Sequence, residues 1–470
     1  MIKQNSSLLA LALAAGFFLL LNGLALGLGV ALPTALLDFS WVALLLTFGY
    51  YTWQKKSLTT TILFAMIAGI AIGKYFPDFA AQLNILSKIF LLLIKSIIAP
   101  LLFSTLVVGI AGHSDLKQVG RMGWKSLLYF EVVTTIALAI GLIAINISRA
   151  GVGIVLPEHP DTSSLPTTKQ SLSQVILHIF PENIAKSIAE GQVLQIVVFS
   201  ILFGIGLSLV APKHKKTMLD FCESLSEVMF KYTKVIMYFA PIGVGAAMAY
   251  TVGHMGLGVL KNLFALLGTL YVALIVFLVG VLLPVALIAR INIREFVRRI
   301  IEPVSIAFAT TSSESALPKA MRAMENFGVP RKIVSFVMPM GYSFNLDGTT
   351  LYLSLAAVFV SQAAGKPLSV EQQIVMALTL MLTSKGVAGV PRASLVILLG
   401  TVAQFDLPVE PVFLILGIDE LMDMARTSVN VVGNCLATTV VARWEGELGE
   451  PQPMENMDKV APEEGYATDK

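Results

Sequence analysis

The 470 residues are 56% hydrophobic and 13% charged, with a net charge of +3 and a mean hydropathy of +0.79, a balance that excludes a soluble globular domain and makes lipid the solvent. The charge is small and spread through short loops, so it sets orientation in a membrane and excludes a nucleic-acid surface. Cys222 and Cys435 both fall in apolar stretches and no Cys/His cluster has metal-ligand spacing, which argues against a structural disulfide or zinc site.

Apolar runs long enough to cross the hydrocarbon core, about 20 residues for a helix, recur at 8–32, 38–53, 58–75, 82–111, 120–148, 171–210, 217–250 and 258–289. The first, after Lys3, reads equally as a cleaved signal peptide or a retained span. Basic residues then occupy alternate loops: Lys55 and Lys56; Lys117, Arg121 and Lys125; Lys213, Lys215 and Lys216; Arg290, Arg294, Arg298 and Arg299. These loops are expected on the cytoplasmic side. The polar stretch 151–170 falls on the opposite side as an outer loop, and the acid-rich, proline-containing residues 446–470 read as a disordered cytoplasmic tail.

Two later stretches are interrupted by small, polar, proline-containing clusters, TTSSESALPKA at 310–320 and TSKGVAGVPRA at 383–393. Both run Thr-Ser, small residues, an aliphatic, a proline, a basic residue and alanine, the pattern of an internal repeat. With residues 294–325 entering and leaving by the cytoplasmic face and 330–364 crossing outward, 370–402 must dip in from outside, so the two units are inverted. Inverted repeats with interrupted helices place unwound peptide groups near the bilayer midplane, where they can hold a substrate and ions. Two ordinary spans with Ser/Gly packing faces are the structural alternative. The expected class is an all-α polytopic membrane protein with about eight core spans, two re-entrant helical hairpins in inverted repeats, and up to two extra N-terminal spans.

The final span, 410–444, carries Asp419, Asp423, Arg426, Asn430 and Asn434 in apolar surroundings. At about 100° per residue they fall within roughly 80° of one another, so one stripe holds every strongly polar side chain except Glu420 and Thr427. A charge at bilayer depth costs about 2.5–3.5 kcal/mol. A purely structural pair of Asp423 with Arg426 leaves the rest of the stripe without a reason. Asp423 suits an ammonium group and the fork of Arg426 suits a carboxylate. Together they describe an acidic amino acid, whereas the arginine alone would suit a plain dicarboxylate.

In GYSFNLDGTTLY at 341–352, Gly341 and Gly348 are expected to allow unwinding while Ser343, Asn345 and Asp347 supply hard oxygen ligands for Na+ or a proton. A glycine-kinked helix with its Asn and Asp satisfied by neighbours is the alternative. Glu131, beside Thr134 and Thr135 in an apolar run, is a candidate proton carrier unless it lies at the membrane edge. Lys385 occupies the second broken tip, and Arg392 follows it, open between a site role and reaching water.

At these motifs the chain resembles the dicarboxylate/amino acid:cation symporter family, the bacterial glutamate and aspartate carriers and their neuronal excitatory amino-acid transporter relatives. NLDGTTLY, the serine-rich first tip, AGVP in the second tip and DMARTSVNVVGN occur in order. The resemblance implies an elevator-type glutamate-transporter fold, a homotrimer in a bacterial inner or plasma membrane with its C-terminus cytoplasmic. It implies mainly scaffold and trimerisation spans over 58–250, with the 120–148 span in the transport domain, and mainly transport domain over 251–445. Residues 1–57 are then extra N-terminal segments. It implies no catalysis and no cofactor beyond co-transported H+ or Na+.

The same resemblance implies that Arg426 binds a side-chain carboxylate, Asp423 the amino group, and Asn430 and Thr349 the backbone carboxylate, with Thr427 beside them. Ser313 lies in the first tip, and Val390 and Ser394 in the second, which acts as the extracellular gate. Asp347, Asn345, Thr134 and Thr135 match one sodium site, and Gly341, Asn430 and Asn434 another; Asp419 counts with the coupling residues.

The chain also departs from the sodium-coupled pattern. Those relatives carry an aspartate where Asn434 stands, an aromatic hydroxyl where Glu131 stands, and an uncharged residue where Lys385 stands. Losing a carboxylate weakens a cation site, and a lysine ammonium can occupy a cation's place. Proton-coupled import of glutamate or aspartate is therefore expected, ahead of sodium-coupled import of the same substrates or of four-carbon dicarboxylates. Relatives that take plain dicarboxylates lack an acid at the Asp423 position. Thr311 and Met424 stand where relatives carry an arginine, for which Arg392 is expected to substitute. An intramembrane aspartyl protease using Asp347 and Asp423 is disfavoured, because no GxGD occurs and the Arg426 cation opposes a dyad sharing one proton. A passive anion channel differs from a carrier by failing to accumulate solute against a gradient.

Overall fold

The computed structural model describes residues 2–27, 30, 32–111, 116–154, 180–189, 193–384, 393–405 and 407–451. Among them the regular structure is helical throughout. The chain opens on α1 (Ile2–Gly27) and α2 (Thr34–Lys55), and continues through α3 (Leu58–Tyr75), the short α4 (Pro77–Gln82), α5 (Asn84–Ala111) and α6 (Leu116–Ser148). It resumes with α7 (Ile184–Ala189) and α8 (Val193–Ser208), then the bent pair α9 (Pro212–Met237) and α10 (Ala240–Met255). Helix α11 (Val259–Phe277) runs through a π turn (Leu278–Leu282) into α12 (Leu283–Ile288). A first hairpin joins α13 (Ile293–Thr310) to α14 (Ser313–Asn326), followed by α15 (Arg331–Phe344) and α16 (Asp347–Ala363). A second hairpin pairs α17 (Val370–Thr383) with α18 (Ala393–Gln404), and the chain's long last helix is α19 (Glu410–Glu445).

Among the described residues, six helical stretches are long and apolar enough to cross a bilayer, or seven if α9 and α10 make one bent span. Val272, Ile275, Val276 and Val279 are each more than half exposed, an uncovered apolar face suited to lipid. The two N-terminal runs are helices that pack on each other, with Ser7 Oγ donating to Gln54 Oε1 (2.8 Å) and Asn22 Nδ2 to Ser40 Oγ (3.3 Å); α2 in turn packs on α3.

Several expected spans break where a proline or a cap ends a helix. Within 171–210 the described part is two helices. Asn183 Oδ1, behind Pro181, accepts from the Ala185 N–H (2.9 Å) to open α7, and Ser187 Oγ ties it to Gln195 Oε1 (2.7 Å). The expected 217–250 span starts at Pro212 and bends by 49° between α9 and α10, because Pro241 in the first turn of α10 offers no N–H to the turn before it. The π turn at 278–282 sits just before Pro284, where the extra residue relieves the clash of the ring with the carbonyl four positions back.

The first hairpin tip is shorter than its sequence suggested. Only Thr311, left-handed at φ 51°, and Ser312 lie outside helix. Ser312 Oγ accepts from the Ser315 N–H (3.3 Å) and so caps α14, which makes SESALPKA helical. In the 330–364 span, unwinding falls at Asn345 and Leu346 and not at the glycines. Gly341 and Gly348 are helical and serve close approach: a Cβ on Gly341 would overlap the Asn434 side chain, and one on Gly348 the Arg426 carbonyl. Residues 385–392 of the second tip, with Lys385, Val390 and Arg392, lie outside the described residues, as do 155–170 of the outer loop and 452–470 of the tail.

Helices α3, α5, α8, α9 and α10 pack together, most closely α3 on α10, where Gly69 lies against the Gly245 carbonyl, the small-residue contact usual between membrane helices. Helix α6 packs on α16, and α13 to α16 pack around α19, most of whose residues from Pro411 to Ala442 are buried, while Phe413, Leu421, Met424, Ser428 and Val432 on the side away from the polar stripe are only half-buried. This arrangement sets the α15–α16 break against the polar stripe of α19.

Candidate functional site

Helix α19 places Asp419, Asp423 and Arg426 on one side, each at most 4% exposed. The guanidinium is shared between the two acids: Nε donates to Asp423 Oδ1 (2.9 Å) and Nη1 to Asp419 Oδ1 (3.0 Å). Tyr352 of α16 lays its ring under the guanidinium carbon, 4.0 Å from the ring centroid, and its hydroxyl donates to Asp419 Oδ1 (3.2 Å). Thr427 Oγ1 donates to Asp423 Oδ1 (2.9 Å). Burying three charges costs several kcal/mol per ion unless neighbours satisfy them, and these contacts fix all three side chains. Two carboxylates against one guanidinium leave the cluster one negative charge in excess. Arg426 Nη2 and Asp419 Oδ2 have no hydrogen-bond partner, so one donor and one acceptor remain for a ligand bearing both charges.

At the α15–α16 break, Asn345 Nδ2 lies 3.4 Å from both Asp347 Oδ2 and Asn434 Oδ1, which draws the break and the far end of the stripe into one buried cluster. A Cβ on Gly433 would overlap the Asp347 carboxylate, so α19 presses glycine backbone against that acid. Asn345 Oδ1 and Asn434 Nδ2 are buried without partners, as is the Tyr129 hydroxyl on α6. One carboxylate with amide and hydroxyl oxygens suits a monovalent cation or a proton. Among the described residues no group of three His, Cys, Asp or Glu could hold a metal ion.

Asn430 has a further task. Its Oδ1 accepts from the N–H groups of Gly348 (2.8 Å) and Thr349 (3.2 Å), and its Nδ2 donates to Thr349 Oγ1 (2.9 Å). It thus caps α16 from another helix, serving amides that have no partner inside α16. Asn430 and Thr349, both expected at a substrate carboxylate, are here hydrogen-bonded to each other, so cap and candidate ligand group coincide.

The other expected residues are dispersed. Thr134 is buried and its hydroxyl donates to the Phe130 carbonyl (2.6 Å). Thr135 faces the second hairpin, its hydroxyl donating to the Glu131 carbonyl (2.6 Å) and lying 3.4 Å from Met381 Sδ. Consecutive helical positions diverge by about 100°, so the two threonines face different neighbours. Glu131 is half-buried. Ser313 opens α14 and is buried, and Ser394, near the start of α18, is buried with an unpartnered hydroxyl. Ser343 lies in the last turn of α15, with its side chain outside the described set. Glu420, off the stripe, is nonetheless buried, at 2% exposure.

Sequence reasoning gave Tyr352 no role. Its signal was available: it stands three residues after Thr349, on the same face of α16. Tyr352→Phe keeps the ring on Arg426 and removes one hydrogen bond of about 0.5–1.5 kcal/mol net. The expected result is a roughly 2–10-fold higher KM for an acidic substrate at unchanged protein level, read by initial-rate uptake.

Comparison with known proteins gives a coherent set. Residues 58–444 match the model of the sodium:dicarboxylate symporter family. The chain is 42% identical over 408 residues to the proton/glutamate-aspartate symporter of Escherichia coli (strain K12), covering 83% of this chain and 93% of the relative. It is 43% identical over 407 residues to the proton/sodium-glutamate symport protein of Bacillus caldotenax, covering 84% and 96%. It is 41% identical over 410 residues to the C4-dicarboxylate transport protein of Albidiferax ferrireducens, covering 86% and 91%.

Proposed function

The chain belongs to the sodium:dicarboxylate symporter family, and on that footing we propose that it imports glutamate or aspartate together with protons. It is a multi-pass membrane transporter and not an enzyme. The observation that carries the substrate reading is the Asp419–Arg426–Asp423 cluster: one guanidinium with a spare N–H beside an excess carboxylate. A zwitterion with an extra carboxylate offers the complement to both. A plain dicarboxylate, as handled by the Albidiferax relative, would leave Asp423 facing like charge. Asn430 and Thr349 then receive the backbone carboxylate, and Ser313 and Ser394 at the hairpins close over it, with Val390 four positions before Ser394 in sequence.

Proton coupling is favoured by the amide of Asn434, where a carboxylate would be needed to hold a second cation, and by the presence of Lys385 in the second tip. A sodium reading keeps one specific support, the unpartnered Asn345 Oδ1 within the Asp347 cluster. The homotrimeric, two-body elevator arrangement in a bacterial inner membrane is part of the same proposal.

The test is uptake of radiolabelled L-aspartate, L-glutamate and succinate into proteoliposomes under an imposed pH or sodium gradient at fixed potential. Amino-acid accumulation driven by the pH gradient without sodium is expected. Strict sodium dependence overturns the coupling assignment, and preferential succinate uptake overturns the role of Asp423.

A further inference from the structure

A cavity of about 350 Å³ opens away from the charged cluster, where the first turns of α5, the last turns of α10, the body of α18 and the start of α19 meet. Its volume lies near the low end for small-ligand sites, roughly 300–1,000 Å³, too small for two acyl chains. Leu91, Leu399 and Phe413 supply apolar wall, and Lys88, Lys95 and His254 line it together with a single acid, Glu410. Lys88 and Lys95 are seven residues apart and so share a face of α5, with Leu91 on the same side between them.

A second, independent observation points to a ligand. Thr251 of α10 lines the cavity, is 1% exposed, and its hydroxyl has no partner. Thr134, Thr233 and Thr438, also buried in helices, by contrast donate to the carbonyl four residues back. The imidazole of His254 packs against the Tyr250 ring at a 40° tilt, ring centroids 4.2 Å apart, which holds it beside Thr251 at the rim.

We propose that this cavity binds a single-chain anionic amphiphile, a long-chain carboxylate drawn from the bilayer, with its head between Lys88 and Lys95 and its chain along Leu91, Leu399 and Phe413. Cations outnumber the one carboxylate of Glu410, and the apolar wall accepts methylene groups that would otherwise lie in lipid. The occupant touches α5 and α10 on one side and α18 and α19 on the other. On the two-body reading of transport under Proposed function, it therefore slows uptake; binding itself does not depend on that reading.

The test uses the full-length protein in zwitterionic nanodiscs with a diazirine-bearing palmitate, followed by peptide mapping. Labelling is expected at 84–95, 251–255 and 399–414. Oleate should suppress it, and oleyl alcohol should not. Lys88→Gln and Lys95→Gln should each weaken oleate competition by up to about 5-fold, the size expected of one partly exposed charge contact. Equal competition by oleyl alcohol, or labelling spread over α1 and α11 at the same yield, reduces the result to partition into lipid and overturns the site. Suppression by phosphatidylglycerol but not by oleate overturns the single-chain assignment. Oleate competition without any change in uptake leaves the site standing and counts against the two-body reading.

Discussion

Arg426→Ala is expected to abolish uptake of acidic amino acids. The substitution leaves Asp419 and Asp423 buried without the cation both now contact at 2.9–3.0 Å, and removing one partner of a buried ion pair costs about 3–5 kcal/mol. As affinity or rate that is a factor of about 150 to 5,000, and part of it will appear as lower protein level. Arg426→Lys separates folding from function. An ammonium restores the charge, so protein level recovers, but it cannot donate along the Nε and Nη1 directions at once while presenting a third N–H to substrate. Uptake normalised to protein should stay at least about tenfold down, since one charge-assisted hydrogen bond is worth about 1.5–3 kcal/mol. A lysine variant with wild-type KM for glutamate would mean that the fork has no role in holding substrate.

The charges also explain why such a site needs a co-ion. Asp347, Asp419, Glu420 and Asp423 are buried in this region, where Arg426 pairs with Asp419 and Asp423, and an acidic amino acid adds one further negative charge. Each uncompensated charge carried across the field is worth about 2.3 kcal/mol per 100 mV, and burial multiplies every unpaired interaction. Protons or a monovalent cation at the Asn345–Asp347–Asn434 cluster offset that excess. The unpartnered Asn345 Oδ1 and Tyr129 hydroxyl lie in the part of the structure where such an ion would act.

The last helix was legible from sequence because the offsets of Asp419, Asp423, Arg426, Asn430 and Asn434 share one face, and that face is the one holding the cluster. Helix breaks were legible in kind and misplaced in detail. Glycine marks both unwinding and close packing; at Gly341 and Gly348 the neighbours of α19 decide for packing, and neighbours are not in a local sequence window. The first tip shrank because the Ser312 cap outweighs Pro318 and the small residues around it. Tyr352 and the capping role of Asn430 depend on two helices meeting, which no periodicity reports. Glu420 escaped because the stripe argument follows one face of the helix, and burial beyond that face depends on neighbouring helices that a local window does not report.

Asn434→Asp is expected to convert the coupling. The Asn434 carbonyl oxygen and the Asp347 carboxylate are each 3.4 Å from Asn345 Nδ2, so a new carboxylate stands beside an existing one. At a separation of roughly 5–6 Å and an effective dielectric near 20, the repulsion is about 3 kcal/mol, enough to depress uptake by about two orders of magnitude in sodium-free buffer. A monovalent cation between the two acids and the Asn345 carbonyl removes that repulsion. Uptake by the variant should therefore recover with added sodium along a saturable curve, while wild-type uptake should respond to the pH gradient and little to sodium. Proteoliposomes carrying wild type and variant, assayed from zero to saturating sodium at one pH, give the comparison. Sodium-insensitive loss in the variant would mean that the pocket cannot close around a cation. A wild type already dependent on sodium would show that the amide of Asn434 coordinates well enough, and that proton coupling was misassigned.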